Sequence, residues 1–425
     1  MRGSLTRTEL GLTHAMPTEN VETLIVGGGQ AGLAVSHMLS RSGRPHLILE
    51  RGRIAERWRT ERWDGLRFQF PNWSVQLPDF PFRRADADGF ATSPEIVEYL
   101  ASYADHVRAP IRCGVTVTRL RRGEGASGFL AETSAGPVTS ANVVVATGPY
   151  QRPIVPTLLQ DDTWLFQVHA AKYRAPDQLP AGAVLVVGSG ASGAQIAEEL
   201  LRANRRVYLS VGHHRRMPRR YRGRDLIWWL SSLGLDRTPT EKRGPDRSLP
   251  LITGAYGGHT IDFRAFARQG MTLLGRVVAA ENGILDIAPD LAKNLASGDA
   301  AYASFLDMVD AHIAEQGLDM PAEPGARTVY PDPPCVAEPL RRLDLRAEGV
   351  GSVIWATGYS CDFSWIDLPV IDGAGEPVHR AGITDVPGLY FLGLQWLSRM
   401  NSSFLSGIGE DAARLADHIV ARRTA

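Results

Sequence analysis

Two strand, glycine-turn, helix, strand units in one chain predict an α/β protein with two Rossmann-like dinucleotide-binding domains, the second inserted into the first. Three observations carry that reading. The turns Gly27–Gly32 and Gly188–Gly193 share the spacing Gly-x-Gly-x-x-Gly, and each follows directly on an apolar strand. Two further apolar runs, 142–148 and 352–358, both end in Ala-Thr-Gly and stand on either side of the second unit.

In the first unit, Glu22–Val26 is a short apolar run leading into Gly27. Ala31, Ala34, Val35, Met38 and Leu39 then recur at helical spacing until Ser42 and Gly43 close the helix. His46–Leu49 reads as the returning strand and ends at Glu50. Gly27 makes the tight turn, Gly29 lets backbone approach a pyrophosphate, and Gly32 lets helix and strand pack closely. Gln30 and Ala31 lie in the same turn, at a helix N-terminus whose amides can meet phosphate. Glu50 is spaced to accept hydrogen bonds from an adenosine ribose, with Arg51 beside it.

The second unit repeats the plan with a different ending. Ala183–Val187 leads into Gly188, Ser189, Gly190, Ala191, Ser192 and Gly193, and 206–210 is the returning strand. In place of an acid it offers Ser210, then His213, His214, Arg215 and Arg216. A carboxylate would repel a ribose 2′-phosphate, whereas Ser210, His213 and Arg215 could receive one; a solvated basic loop would look the same. One turn with a ribose-binding acid and one without point to FAD in the first domain and NADPH in the second.

Small residues at a strand end let backbone pass close beside a cofactor, which adds Ala146, Thr147, Gly148, Ala356, Thr357 and Gly358 to the candidates. Prolines at 153, 156, 176 and 180, and again in 330–335, punctuate the joints. The expected organisation is an N-terminal arm over 1–20, an FAD domain from 21–155 and 326–425, and an NADPH domain over 156–325. Within that domain, 211–325 is less regular and is expected to shape the substrate site or an interface. Leu291–Gln316 reads as a helix with Leu291, Leu295, Ala301, Phe305, Met308, Val309 and Ile313 on its apolar face. Trp228 and Trp229 read as core or interface before substrate wall.

Composition narrows the classes further. With 425 residues the chain has room for two or three domains, and 46 basic against 46 acidic side chains give no pull toward nucleic acid or anionic membrane. No run approaches the length of a membrane span, and the first 20 residues lack a secretion signal's apolar centre, so a cytoplasmic protein is expected. Three scattered cysteines, Cys113, Cys335 and Cys361, argue against a dithiol enzyme, a disulfide scaffold or a zinc module, and no metal site is expected.

The sequence resembles the class B flavin-dependent monooxygenases: flavin-containing monooxygenases, the plant YUCCA enzymes and bacterial CzcO-like flavoproteins. The resemblance runs from about Val21 to Ile419. It rests on the paired glycine turns, on Ala356-Thr-Gly-Tyr359, and on Leu66–Phe82, which looks like the family's flavin-covering loop. Phe166–Arg174 resembles the family's identifying stretch, with Leu165 where relatives carry Gly and with His169 between the two nucleotide sites. Trp58, Val117, Gly393 and Ile408 join the cofactor-binding candidates; the last two lie where relatives pass a strand and a helix N-terminus beside the flavin.

The resemblance implies that NADPH reduces FAD, that O2 adds to form a C4a-(hydro)peroxide, and that one oxygen atom reaches a small organic substrate. N- or S-oxygenation and Baeyer–Villiger or keto-acid attack all fit that chemistry. The relatives' Asn over the flavin aligns with Gln69, making Gln69 the expected hydrogen-bond donor, with Asn72 as the alternative. His169 either ties the two domains together or is a satisfied structural histidine. Gly212 and His213, where relatives often place Arg, leave NADH as a second reductant. Trp73, Trp228, Trp229, Trp396 and Phe404 would wall a site for an apolar or aromatic substrate. Expected partners are O2 and that small molecule, with no nucleic acid or membrane and a homodimer as the assembly. An NAD(P)H oxidase or flavin reductase, and a non-catalytic dinucleotide sensor, are the competing readings.

Overall fold

The computed structural model describes residues 18–123, 128–246 and 248–422. Its first sheet contains β1 (Glu19–Val26), β2 (His46–Glu50), β3 (Ile111–Cys113), β4 (Val117–Arg122), β5 (Phe129–Thr133) and β6 (Val138–Val145), in the order β3-β2-β1-β6-β5-β4. β1 runs parallel to β2 on one side and β6 on the other. Leu24 and Ile25 in it are wholly buried, as a central parallel strand covered on both faces requires. Helix α1 (Gln30–Arg41) makes the crossover from β1 to β2. Helix α2 (Ser93–His106) opens on a capping box between Thr92 and Glu95.

After a crossing strand, β7 (Arg152–Pro153), the chain builds a second parallel sheet from β8 (Phe166–His169), β9 (Ala183–Val187), β10 (Val207–Ser210) and β11 (Thr272–Leu274). An antiparallel ribbon follows, made of β12 (Val277–Glu281), β13 (Ile284–Ile287) and β14 (Arg342–Asp344). β15 (Val350–Trp355) then enters the second sheet, whose order is β8-β15-β9-β10-β11. The helices of this half include α3 (Ala191–Arg202), α4 (Leu226–Ser232) and α5 (Leu291–Gln316). β16 (Tyr359–Ser360) pairs antiparallel with β7, so the two passages between the halves lie side by side. β17 (Leu389–Phe391) rejoins the first sheet beside β6, and α6 (Ile408–Ala421) packs on α1.

Three expectations are corrected. Residues 1–17 of the expected N-terminal arm lie outside the described residues, but Glu19 and Asn20 belong to β1, paired with Val138 and Thr139. The segment that was to return to the first domain at 326 instead supplies β14 and β15 to the second half, and the return comes at β16. The reason is local symmetry: each glycine turn packs against an Ala-Thr-Gly strand of its own sheet, so β15 belongs with β9 as β6 belongs with β1. On α5, Leu306 is buried and Met308 is exposed, because the helix packs Phe305, Leu306 and Val309 into the core around Trp229. Among the described residues no helix is long and apolar enough to cross a membrane.

Candidate active site

The glycine turns follow β1, set between β2 and β6, and β9, set between β10 and β15, at the carboxyl ends of strands where open α/β sheets take ligands. Gly27 and Gly188 have φ of +113° and +105°, and a Cβ on either would come within 2.5 Å of a carbonyl oxygen, Ala146 in one case and Ala356 in the other. A Cβ on Gly32 would meet Gly27 O at 2.0 Å, and one on Gly193 would meet Gly188 O at 1.9 Å. Gly29 and Gly190 differ: a Cβ there would meet nothing of the protein within 4 Å. That open space lies at the N-termini of α1 and α3, which have no side-chain cap and no acid in the first turn. Unpaired amides and the positive end of each helix dipole are left for an anion, so both cradles fit a pyrophosphate.

Around the first cradle the chain's distant parts converge. The Gln30 amide donates to Ser403 O at 2.6 Å, and a Cβ on Gly393 would lie 2.6 Å from Ala31 Cβ. Ile408 is buried at the start of α6, while Val117 is half-buried at the start of β4 and Arg51 is exposed. The Glu50 carboxylate accepts from Gly28 N–H at 2.7 Å and Gly52 N–H at 2.8 Å, which holds it at the end of β2.

The second cradle ends differently from the expectation. Ser210 is buried, donating to Gly275 O at 3.1 Å and accepting from Val277 N–H at 3.3 Å, so its hydroxyl faces the neighbouring strand and not the rim. Ser189 accepts from Gly212 N–H at 3.0 Å and ties the turn to the loop after β10, while Ser192 is exposed. His213 Nε2 lies 3.3 Å from the Asp246 carboxylate, with Arg215 at 4.0 Å from it. A further cation at this rim was missed by the sequence reading. Arg276 lies against Gly212, 3.9 Å from a Cβ built there, and is largely exposed while its Nε pairs with Asp290. Only the adjacency of β10 and β11 brings it there; no motif marks it.

The two Ala-Thr-Gly ends hold the passage between the halves. Thr147 accepts from the Gln151 amide at 3.0 Å, and Thr357 donates to Ile154 O. His169 accepts at Nδ1 from Ala171 N–H at 3.1 Å, so Nε2 carries the proton it donates to Gly358 O, also at 3.1 Å. Burial pushes its pKa below the usual histidine value, keeping the ring neutral. With both nitrogens hydrogen-bonded, His169 holds the end of β8 to the start of β16.

The covering loop joins the halves from the first side. Leu66 and the nearby Trp63 are buried in the second half's core. Trp58, half-buried and covered by the Arg62 guanidinium, meets Phe68 edge-on at 5.6 Å. Phe68, Phe70 and Phe404 continue as an aromatic run, with centroids 5.3 and 4.8 Å apart. Asn72 is folded into its own loop, its amide donating to Asp86 O at 2.8 Å. Gln69 instead reaches across: its side-chain amide donates to Ile252 O at 3.4 Å, and its main-chain carbonyl accepts from Arg219 at 2.8 Å. Trp229 is core, donating to Tyr221 O, whereas Trp228 and Trp73 line a cavity of about 360 Å³ with Arg220 and Arg224.

The sequence model of the family described as pyridine nucleotide-disulphide oxidoreductase matches residues 24–234. An uncharacterized CzcO-like oxidoreductase of Geobacillus kaustophilus is 32% identical over 404 residues, covering 94% of this chain and 98% of its own. The probable indole-3-pyruvate monooxygenase YUCCA1 of Arabidopsis thaliana is 33% identical over 411 residues, covering 93% and 89%. The chain belongs to the class B flavin-dependent monooxygenases. The solved flavin-containing monooxygenase of Stenotrophomonas maltophilia has the same fold, with a TM-score of 0.64 at 18% identity over 95% of this chain and 99% of that one.

This flavin-dependent monooxygenase uses FAD and NADP as cofactors. Its three cysteines are free, and no disulfide occurs among the described residues.

Proposed function

We propose that this monooxygenase oxidises NADPH and places one atom of O2 on a small apolar or aromatic substrate. The oxygen acceptor would be a nitrogen or sulfur nucleophile, or a carbonyl carbon of a ketone or keto acid. One observation carries the reading: two open glycine cradles occur in one chain, and the covering loop of the first carries an amide, Gln69, into contact with the second half.

In this reading Gly27–Gly32, Glu50, the 146–148 turn, Gly393 and the start of α6 hold FAD. Gly188–Gly193, the 356–358 turn, His213, Arg215 and Arg276 hold the nicotinamide dinucleotide. The bound cofactors supply hydride transfer and oxygen activation. The chain's own task is to keep water out and to present fixed donors, because oxygen activated in a wet site is lost as H2O2. Phe68, Phe70 and Phe404 provide the dry wall, and Gln69 provides the donor. Asn72 braces the loop from inside. Trp73 and Trp228 at the seam favour an aromatic substrate.

The test is a stoichiometry. Purified yellow protein is reduced anaerobically with NADPH and mixed with O2 while absorbance is followed from the near-UV to the visible. A persistent near-UV band before oxidised flavin returns, with less than one H2O2 per NADPH once substrate is added, is the expected result. Immediate reoxidation with one H2O2 per NADPH under every substrate tried would assign the chain to the oxidases instead.

A further inference from the structure

Arg219 has no place in the cofactor cradles, yet only 1% of its surface is exposed. It stands just before α4, in the second half. Its Nε donates to Asp225 Oδ2 at 2.9 Å, and Nη2 pairs with the other carboxylate oxygen. Asp225 in turn caps α4 by accepting from Ile227 N–H, so the carboxylate is fixed from two sides. Nη1 is left to donate to Gln69 O at 2.8 Å and, more weakly, to Thr253 O at 3.4 Å. The guanidinium also covers the ring of Phe90 at 5.0 Å. Gln69 O and Phe90 both belong to the first half, so this buried cation grips the covering loop from across the seam.

The same stretch of chain grips Gln69 a second time. Ile252 O accepts from the Gln69 amide at 3.4 Å and from the Gln195 amide at 3.2 Å. Gln195 is buried on α3, just over one turn beyond the cradle residue Gly190. Gln69 is thus held at its main-chain carbonyl by Arg219 and at its side-chain amide by a carbonyl shared with the nicotinamide-side helix. A charge-assisted bond from a planar guanidinium fixes direction as well as distance, which a lysine cannot reproduce while also forking onto Asp225.

We propose that Arg219 is a positioning residue for the oxygenation step: it holds the Gln69 loop in place from the second half, so that the loop's donor stays over the site after NADPH has reacted. This rests on the role given to Gln69 above. Arg219 touches neither cradle, so the rate of flavin reduction is independent of it.

The test compares Arg219→Lys, Asp225→Asn and Gln69→Ala as FAD-loaded proteins. Asp225→Asn keeps the helix cap while weakening the pair, and it serves if the lysine variant fails to retain flavin. Two readouts are taken: amide hydrogen exchange of residues 66–72, and H2O2 released per NADPH alongside the anaerobic reduction rate. Arg219→Lys is expected to speed exchange of 66–72 about tenfold, the loss of one charge-assisted hydrogen bond. It should also raise H2O2 release toward that of Gln69→Ala, with flavin reduction within about twofold of wild type. Unchanged exchange in both Arg219→Lys and Asp225→Asn would overturn the proposal. So would faster exchange without added H2O2, provided Gln69→Ala itself leaks. If Gln69→Ala does not leak, the role of Gln69 falls, and Arg219 falls with it as a positioning residue for oxygenation.

Discussion

In the first nucleotide fold a side chain at Gly32 would strike Gly27 O at 2.0 Å, and in the second a side chain at Gly193 would strike Gly188 O at 1.9 Å. A side chain at Gly27 would strike Ala146 O and one at Gly188 would strike Ala356 O, both at 2.5 Å. Beyond these turns the halves part. The first ends in Glu50, held forward by two backbone amides, while the second ends in Ser210, turned inward, with Arg276 supplied from the neighbouring strand. The pyrophosphate end is fixed by sterics that any dinucleotide demands, so it repeats. The ribose end is fixed by charge, and charge can come from any residue the fold brings near.

The largest expected effect separates the two cradles. Gly32→Ala should give colourless protein without FAD, read as the ratio of flavin to protein absorbance. Gly193→Ala should stay yellow but be reduced by NADPH at least a hundredfold more slowly in anaerobic stopped flow. Equal loss of flavin in both variants would break the assignment of one cofactor to each half.

Next comes the charge at the rims. Glu50→Gln should weaken FAD binding to the apoprotein about tenfold or more, since a charge-assisted acceptor becomes a neutral one. Arg276→Ala should lower the preference for NADPH over NADH about tenfold in kcat/KM, with flavin content unchanged. If Arg276→Ala leaves that preference intact while His213→Ala or Arg215→Ala abolishes it, the rim is the basic loop that the sequence points to.

The smallest effect concerns the joint between the halves. Buried neutral His169 takes up a proton less readily than in the unfolded chain, where histidine titrates near 6.5. Below that pH the unfolded state binds more protons, so stability is full above it and falls as pH drops. His46, His214 and His379 act in the same direction, each depressed first by burial, and outnumber His259, which the Glu198 carboxylate raises and which acts the other way. Wild type should therefore lose Tm between pH 7.5 and 5.5, and His169→Asn should lose about 2 °C less over that range. Equal losses would mean that His169 is charged in the native state.

Much of this was legible in the chain. The glycine spacing and the apolar strands before it give both cradles residue by residue, because the constraint is local and steric. The domain boundary was not legible, since the two Ala-Thr-Gly runs look alike in sequence and only strand pairing shows that each serves its own sheet. The same holds for Asn72 and Gln69. Both are amides on one loop, yet one folds back on Asp86 and the other crosses to Ile252.

The sequence by itself determined the two cradles, the acid at the first rim and the absence of a cysteine pair. These depend on residue type and spacing over a few positions. The tertiary structure decided that Arg276 joins the second rim, that His169 is a clasp, and that Arg219 reaches Gln69 from the far half. Those are contacts between segments more than a hundred residues apart, or, for Arg276, between adjacent strands, and no local pattern encodes them.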